Sequence, residues 1–203
     1  MRHRGLLALG LVVLLMPALS AAQSVTGGAK GGVVFADVPN FSDEMEVSTS
    51  MRTGLIAGGF LTWSTSGGFG VQPEVLYTQK GVELDEPGVS ASIEMSYLDV
   101  PVLARYTFGN GATRGYVFGG PSFNFKLDAK AKSNFEGQDE EEDIGEDVEP
   151  FELALVVGAG VEFGHFLVEG RFAEGLTNLV KDDEGMEEAL KNRTFAILAG
   201  FRF

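Results

Sequence analysis

From residue 193 to the end of the chain, apolar positions alternate with small or polar ones. Phe195, Ile197, Ala199, Phe201 and Phe203 fall on one side, and Thr194, Ala196, Gly200 and Arg202 on the other, with Leu198 the exception. Period 2 predicts a strand with one greasy and one mixed face. Residues 69–81 repeat it, with Phe69, Val71, Pro73, Val75 and Tyr77 opposed to Gln72, Glu74, Thr78 and Lys80. So do the later part of 92–108 (Leu98, Val100, Val102, Ala104, Tyr106 and Phe108 against Asp99, Pro101, Leu103, Arg105 and Thr107) and residues 151–163. Four further strands are predicted at 25–36, 52–63, 116–127 and 166–177, making eight. In 116–127 the run Gly119-Gly-Pro121 predicts a bulge, which leaves the facing of that strand open.

The connectors between these strands alternate. Polar loops at 37–51, 82–91, 130–150 and 178–191 are long, whereas 64–68, 109–113 and Gly164-His165 are tight turns. An antiparallel up-and-down membrane barrel has this rhythm, with an even strand count and short turns at one end. Aromatics flank the short turns (Trp63, Phe69, Tyr106, Phe108, Tyr116, Phe163, Phe166, Phe203), and a second set lies toward the long loops (Phe35, Tyr77, Tyr97, Phe123, Phe125, Phe151, Phe195). Two such girdles suit two membrane interfaces. A soluble ligand-binding barrel would instead turn its apolar face inward. Here the mixed face carries Glu74, Asp99, Arg105, Glu152, Glu169, Arg171 and Arg202, too many charges for a fatty pocket. The expected fold is therefore all-β, an eight-stranded antiparallel up-and-down transmembrane β-barrel.

Composition sharpens this picture. A basic start (Arg2, Arg4), an apolar run over residues 6–15 and small residues up to Ala22 predict a signal peptide over 1–22, with the barrel domain spanning 23–203. The apolar run is too short for a spanning helix. Without Arg2 and Arg4, 13 basic residues face 29 acidic ones, a charge of −16, which argues against nucleic acid. There is no cysteine, so no disulfide is expected. The 28 glycines include the pairs Gly58-Gly59, Gly67-Gly68 and Gly119-Gly120, and glycine within strands marks bends and close approaches in a tightly curved barrel.

Two longer motifs carry a resemblance. The run Gln72-Pro-Glu-Val-Leu-Tyr-Thr-Gln-Lys-Gly81, followed by Tyr97-Leu-Asp-Val-Pro-Val-Leu-Ala-Arg-Tyr106, resembles the PorT-like family of bacterial outer-membrane β-barrel proteins. Ala29-Lys-Gly-Gly-Val33, Phe118-Gly-Gly-Pro121 and Gly175-Leu-Thr-Asn178 are similar to that family as well. The resemblance implies an eight-stranded barrel in the bacterial cell outer membrane and leaves the function open. Likeness to outer-membrane barrels further implies that the terminal aromatics, Phe201 and Phe203, belong to a signal read by the barrel-insertion machinery.

Candidate chemistry is sparse. Eight strands enclose just enough room for side chains, so the seven inward charges are expected to pair into a rigid plug, the alternative being a narrow ion path. In the third loop Asp139, Glu141 and Asp143 are candidate Ca²⁺ or Mg²⁺ ligands, since hard cations take oxygen ligands. Ile144 stands where a calcium loop needs glycine, and the bland alternative is a solvated acidic loop. Beyond the predicted signal the chain has one histidine, His165, in a tight turn, and no nucleophile–base pair is assembled, so no enzymatic activity and no cofactor are expected. The expected protein is a monomer in outer-membrane lipid, with both termini periplasmic and four acidic loops outside. Its expected role is structural or interactive, and the alternative is porin-type passage of ions or small solutes.

Overall fold

The computed structural model describes residues 24–37, 49–86, 89–135, 138–145, 148–177 and 191–203. The predicted signal peptide, most of the first loop and most of the fourth lie outside these residues. Among those described, nine strands follow in chain order: β1 (Ser24–Asp37), β2 (Thr49–Ser64), β3 (Phe69–Glu86), β4 (Val89–Phe108), β5 (Thr113–Phe135), β6 (Gln138–Asp143), β7 (Phe151–Phe163), β8 (Phe166–Gly175) and β9 (Arg193–Arg202). All pairings are antiparallel, and β5 pairs with β7 as well as with β6. The ring closes where β9 meets β1, in register from Gly28↔Arg202 to Asp37↔Arg193. Eight strands thus form a closed up-and-down barrel, and β6 is an addition on the far end of β5.

The three short connectors gather at one end of the barrel, the turn end. At the first, the Thr65 N–H donates to the Phe69 carbonyl at 2.8 Å. At the shortest, Phe163 pairs with Phe166 across two residues, and Gly164 takes a φ of 60°, a region where a side chain would add strain.

Several expectations are corrected at the opposite, loop end. Residues 82–91 and 130–150 were expected as loops, yet β3 continues to Glu86, β4 begins at Val89 and β5 continues to Phe135. Beyond the apolar band a strand needs only its ladder of hydrogen bonds, so the hydrophobic alternation that marks its start no longer marks its end. In β6 the backbone register sets Glu141 opposite Lys132 and Asp143 opposite Lys130. The bulge expected at Gly119-Gly-Pro121 is absent. β5 keeps one register against β4 and β7 through that stretch, and the irregularity falls at Ser96 and Tyr97 instead. The last expected strand positions, Leu176 and Thr177, fall outside β8, which ends at Gly175.

Facing follows the period-2 pattern. In β9 Leu198 is fully buried while Ile197 is 47% exposed, and Phe195 and Phe201 look outward with it. Val75, Val117, Leu155, Val157 and Val161 on other strands extend the same exposed apolar surface. Tight curvature explains the inward glycines: a Cβ on Gly32 would lie 1.9 Å from the Ile197 carbonyl oxygen, and one on Gly58 would lie 2.0 Å from that of Val75. Two aromatics assigned to the girdles, Tyr97 and Tyr116, are fully buried inside the barrel. Tyr116 crosses over Gly160 on β7, where a Cβ would come within 2.4 Å of its ring.

This packing is testable. Gly160→Ala should destabilise the folded barrel by about 1–3 kcal/mol, the usual cost of overpacking. Gly170→Ala, where an added Cβ meets nothing within 4 Å, should stay within about 0.5 kcal/mol. Urea titration followed by the fluorescence of Trp63, the one tryptophan, reads both; equal losses would contradict the assigned packing.

Candidate functional site

The inner face carries the polar chemistry, and its centre is a quartet of charges. Lys30 of β1 places Nζ 2.6 Å from Glu74 Oε1 on β3 and 2.9 Å from Glu169 Oε1 on β8. Arg171 of β8 reaches Glu74 Oε2 at 3.0 Å and also bonds Glu169. Two cations and two carboxylates balance. Tyr116 donates its hydroxyl to Glu169 Oε2 at 2.9 Å, and Gln72 donates Nε2 to Glu74 Oε1 at 2.7 Å. All four charged side chains are buried, where an unpaired ion would cost several kcal/mol.

Four buried cations each lie against an inward aromatic: Lys30 Nζ is 5.2 Å from the ring centre of Phe60, Lys80 Nζ 4.5 Å from Tyr97, Arg105 Cζ 3.8 Å from Tyr116 and Arg171 Cζ 5.4 Å from Phe118. The negative ring face attracts the cation, and more strongly away from water. Three of these rings in turn cover a cross-strand glycine, Phe60 on Gly28, Tyr116 on Gly160 and Phe118 on Gly158. Glycine, ring, cation and carboxylate thus stack from wall to centre.

Toward the turn end the network continues. Arg105 donates NH1 to Gln72 Oε1 at 2.7 Å and bonds Glu162, whose Oε2 also meets Arg114 at 2.9 Å and Arg202 at 3.2 Å. Beyond these residues the barrel opens into a basin of about 660 Å³. Toward the loop end an apolar layer of Val34, Ile56, Leu76, Ala196 and Leu198 lies beside the quartet, next to a cavity of about 30 Å³. A second ionic cluster follows, with Lys80 Nζ 3.0 Å from Glu152 and 3.6 Å from Asp99. Oriented to satisfy both neighbours, the Asn124 amide donates to Asp99 at 3.2 Å and accepts from Lys80 at 3.1 Å. At the loop end Met95, Tyr97, Ala129 and Val148 pack together inside. Lys126 holds the segment bearing Val148 by donating to the carbonyls of Gly145 and of Val148, the latter at 2.6 Å.

Six of the seven charges assigned to the lumen, Glu74, Asp99, Arg105, Glu152, Glu169 and Arg171, are buried there, and Arg202 sits at the open turn end. Lys30, Lys80, Glu162 and Arg114 complete the same clusters and were not singled out from sequence. Parity was their signal: Lys30 alternates with Ala29 and Gly31, and Lys80 and Glu162 occupy mixed-face positions. The candidate cation ligands lie elsewhere. Asp139, Glu141 and Asp143 alternate along β6, and a strand spaces such positions roughly 6.6 Å apart, wider than a calcium loop gathers its ligands. The side chains of Asp139 and Glu141 are outside the described residues; Asp143 is exposed and accepts the Gly145 N–H at 2.8 Å. Among the described residues no cluster of three or more metal-binding side chains occurs. His165 faces the Arg202 carbonyl at 2.9 Å and stacks on Phe201. Phe201 also meets Phe166 edge-on at 5.6 Å, and Phe203 closes on β1 through its N–H to the Gly27 carbonyl at 2.9 Å.

An apolar exterior wrapped around a buried, ion-paired interior inverts the plan of a soluble domain and defines an integral membrane β-barrel. The chain belongs to the family described as outer membrane protein beta-barrel domain, whose model matches residues 21–181. It is a protein of the bacterial outer membrane. No curated protein sequence matches it. Three solved structures are similar in fold. Neisserial surface protein A is 12% identical, with 90% of this chain and 99% of that one covered and a TM-score of 0.48. Ail, the attachment invasion locus protein of Yersinia pestis, is 16% identical, with 88% and 97% covered and a TM-score of 0.44. The outer membrane enzyme PagL is 9% identical, with 88% and 99% covered and a TM-score of 0.42. Likeness at this level carries no functional argument.

The quartet makes a quantitative prediction. Arg171→Met leaves two buried carboxylates facing one lysine and should cost about 3–5 kcal/mol. Adding Glu74→Gln should cost less than the sum of the two single changes. Urea midpoints of the four proteins in the cycle measure the coupling, and strict additivity would remove the pair from the account.

Proposed function

We propose that this protein is a closed, non-conducting barrel with a structural or interaction role in the outer membrane. The observation that carries this reading is the filled cross-section: the quartet Lys30, Glu74, Glu169 and Arg171 occupies the centre, and the apolar layer around Leu76 and Leu198 lies beside it. A porin needs a continuous wet path, and at this level the buried charges are paired with one another. The clusters hold fixed ion pairs, which favours rigidity over transport. The reading is also non-enzymatic, because His165 is engaged with a backbone carbonyl and an aromatic ring. The two long motifs, at 72–81 and 97–106, support assigning it to the PorT-like members of the family.

In this reading the chain is a monomer surrounded by lipid, its turn end faces the periplasm and its acidic hairpins face outward. Phe201 and Phe203 form part of the signal for the insertion machinery, and their exposure on the closing strand suits that role.

Purified barrel in planar bilayers should be electrically silent. Steady, reproducible single-channel openings would overturn the proposal and favour the porin. Orientation has its own check: protease added to whole cells should cut near residues 136–149 and leave the turn at 109–113 intact. Cleavage confined to that turn would reverse the topology.

A further inference from the structure

The basin at the turn end stands apart from the plugged lumen behind it. It is about 660 Å³ in volume, within the roughly 300–1,000 Å³ range of ligand sites. Hydroxyls of Thr26, Thr62, Ser64 and Thr65 line its wall, and the strand ends bearing Tyr106, Phe108 and Phe203 border its mouth. Its titratable side chains are Arg105, Arg114, Arg202, Glu162, His165 and Tyr106. Three guanidiniums therefore face one carboxylate, an excess of two positive charges. The full chain carries a net charge of −14, so this is a local reversal of sign.

The pairing within the basin is lopsided. Both oxygens of Glu162 are engaged: Arg105 bonds one, and Arg114 and Arg202 bond the other at 2.9 and 3.2 Å. The arginines are not fully engaged. Each guanidinium has five donors, and the recorded bonds of Arg114 use one of them. Arg202 adds a bond to the Gly164 carbonyl at 3.3 Å, and the buried Nε of Arg105 has no partner. Side chains of Arg114 and Arg202 remain 35% and 22% exposed, so spare donors reach the open volume. Glu162 holds like charges together, and low-dielectric walls concentrate their field.

We propose that the basin is a binding site for a small molecule bearing an oxyanion, a phosphate or carboxylate group seated between Arg114 and Arg202. The forked guanidinium suits either group. The hydroxyl wall then takes polar groups on the remainder of the ligand. Nothing in this assignment depends on whether the lumen conducts, so it survives or fails independently of the function proposed above.

The test uses the folded chain in zwitterionic detergent, titrated with sodium phosphate and with sodium acetate at ionic strength matched by sodium chloride. Arginine Nε–H resonances report binding. At least one of the two anions should give a saturable shift beyond the chloride control, and Arg114→Gln should weaken it about tenfold or more, as expected for loss of a charge-assisted contact. Arg114 is about one-third exposed, and Glu162 keeps Arg105 and Arg202 in its absence, so this variant should still fold; heat-modifiable migration on gels checks that. Arg193→Gln, at the other end of β9, should bind as the unmodified chain does. Preference for phosphate would mark a phosphorylated ligand, and comparable or better binding of acetate a carboxylated one. Absence of saturation with both anions, or equal losses in Arg114→Gln and Arg193→Gln, would overturn the site.

Discussion

Charge buried inside a narrow, closed wall must be paired, and the interior of this barrel depends on that requirement. Eight strands leave room for side chains and little more. Any ion on the inner face needs an opposite charge, either on its own strand, as Arg171 finds Glu169, or on a strand distant in sequence. Lys30 on β1 meets Glu74, 44 residues on, and Glu169, 139 residues on. The contact with Glu169 exists only when β9 has closed against β1. Ring closure therefore completes the charge balance: an open sheet would separate Lys30 from Glu169.

The inward aromatics solve a second problem that closure creates. Tight curvature brings neighbouring strands so close inside that Gly28, Gly158 and Gly160 have no room for side chains. Glycine alone would leave gaps in the wall. Phe60, Phe118 and Tyr116 lie across those gaps, and their lumen-facing sides receive Lys30, Arg171 and Arg105. The same ring that seals the backbone also stabilises a cation that the membrane interior would otherwise disfavour. Outside, apolar side chains meet lipid without any such arrangement. One alternating sequence thus supplies two solvents with two different surfaces.

The ends differ because water meets them differently. At the loop end, β3, β4 and β5 run on past the apolar band, and Val148 is tucked in by Lys126. At the turn end, short connectors leave the mouth wide, and the ionic network finishes in arginines that water can reach. An acidic protein therefore carries reversed charge at its open turn-end mouth. There Arg114 and Arg202 keep donors beyond those bonded to Glu162 and the Gly164 carbonyl.

Much of this was legible in the sequence. Alternation assigned the eight barrel strands, connector lengths predicted the up-and-down order, and parity sent Glu74, Asp99, Arg105, Glu152, Glu169 and Arg171 inward. Each of these is a local property, because a pleated strand points alternate side chains to opposite faces whatever its neighbours do. Where strands end was not legible. Residues 130–143 look like an acidic loop until the register sets Glu141 against Lys132 and Asp143 against Lys130. Tyr97 and Tyr116 read as girdle residues because proximity to a chain reversal says nothing about which face a ring takes. Partners were least legible of all. That Lys30 answers Glu169, that Tyr116 covers Gly160, and that three arginines converge on Glu162 are facts of register and shear around a closed ring. Sequence determined which face each side chain takes; only closure, which brings strands far apart in the chain into one cross-section, decided what each one meets there.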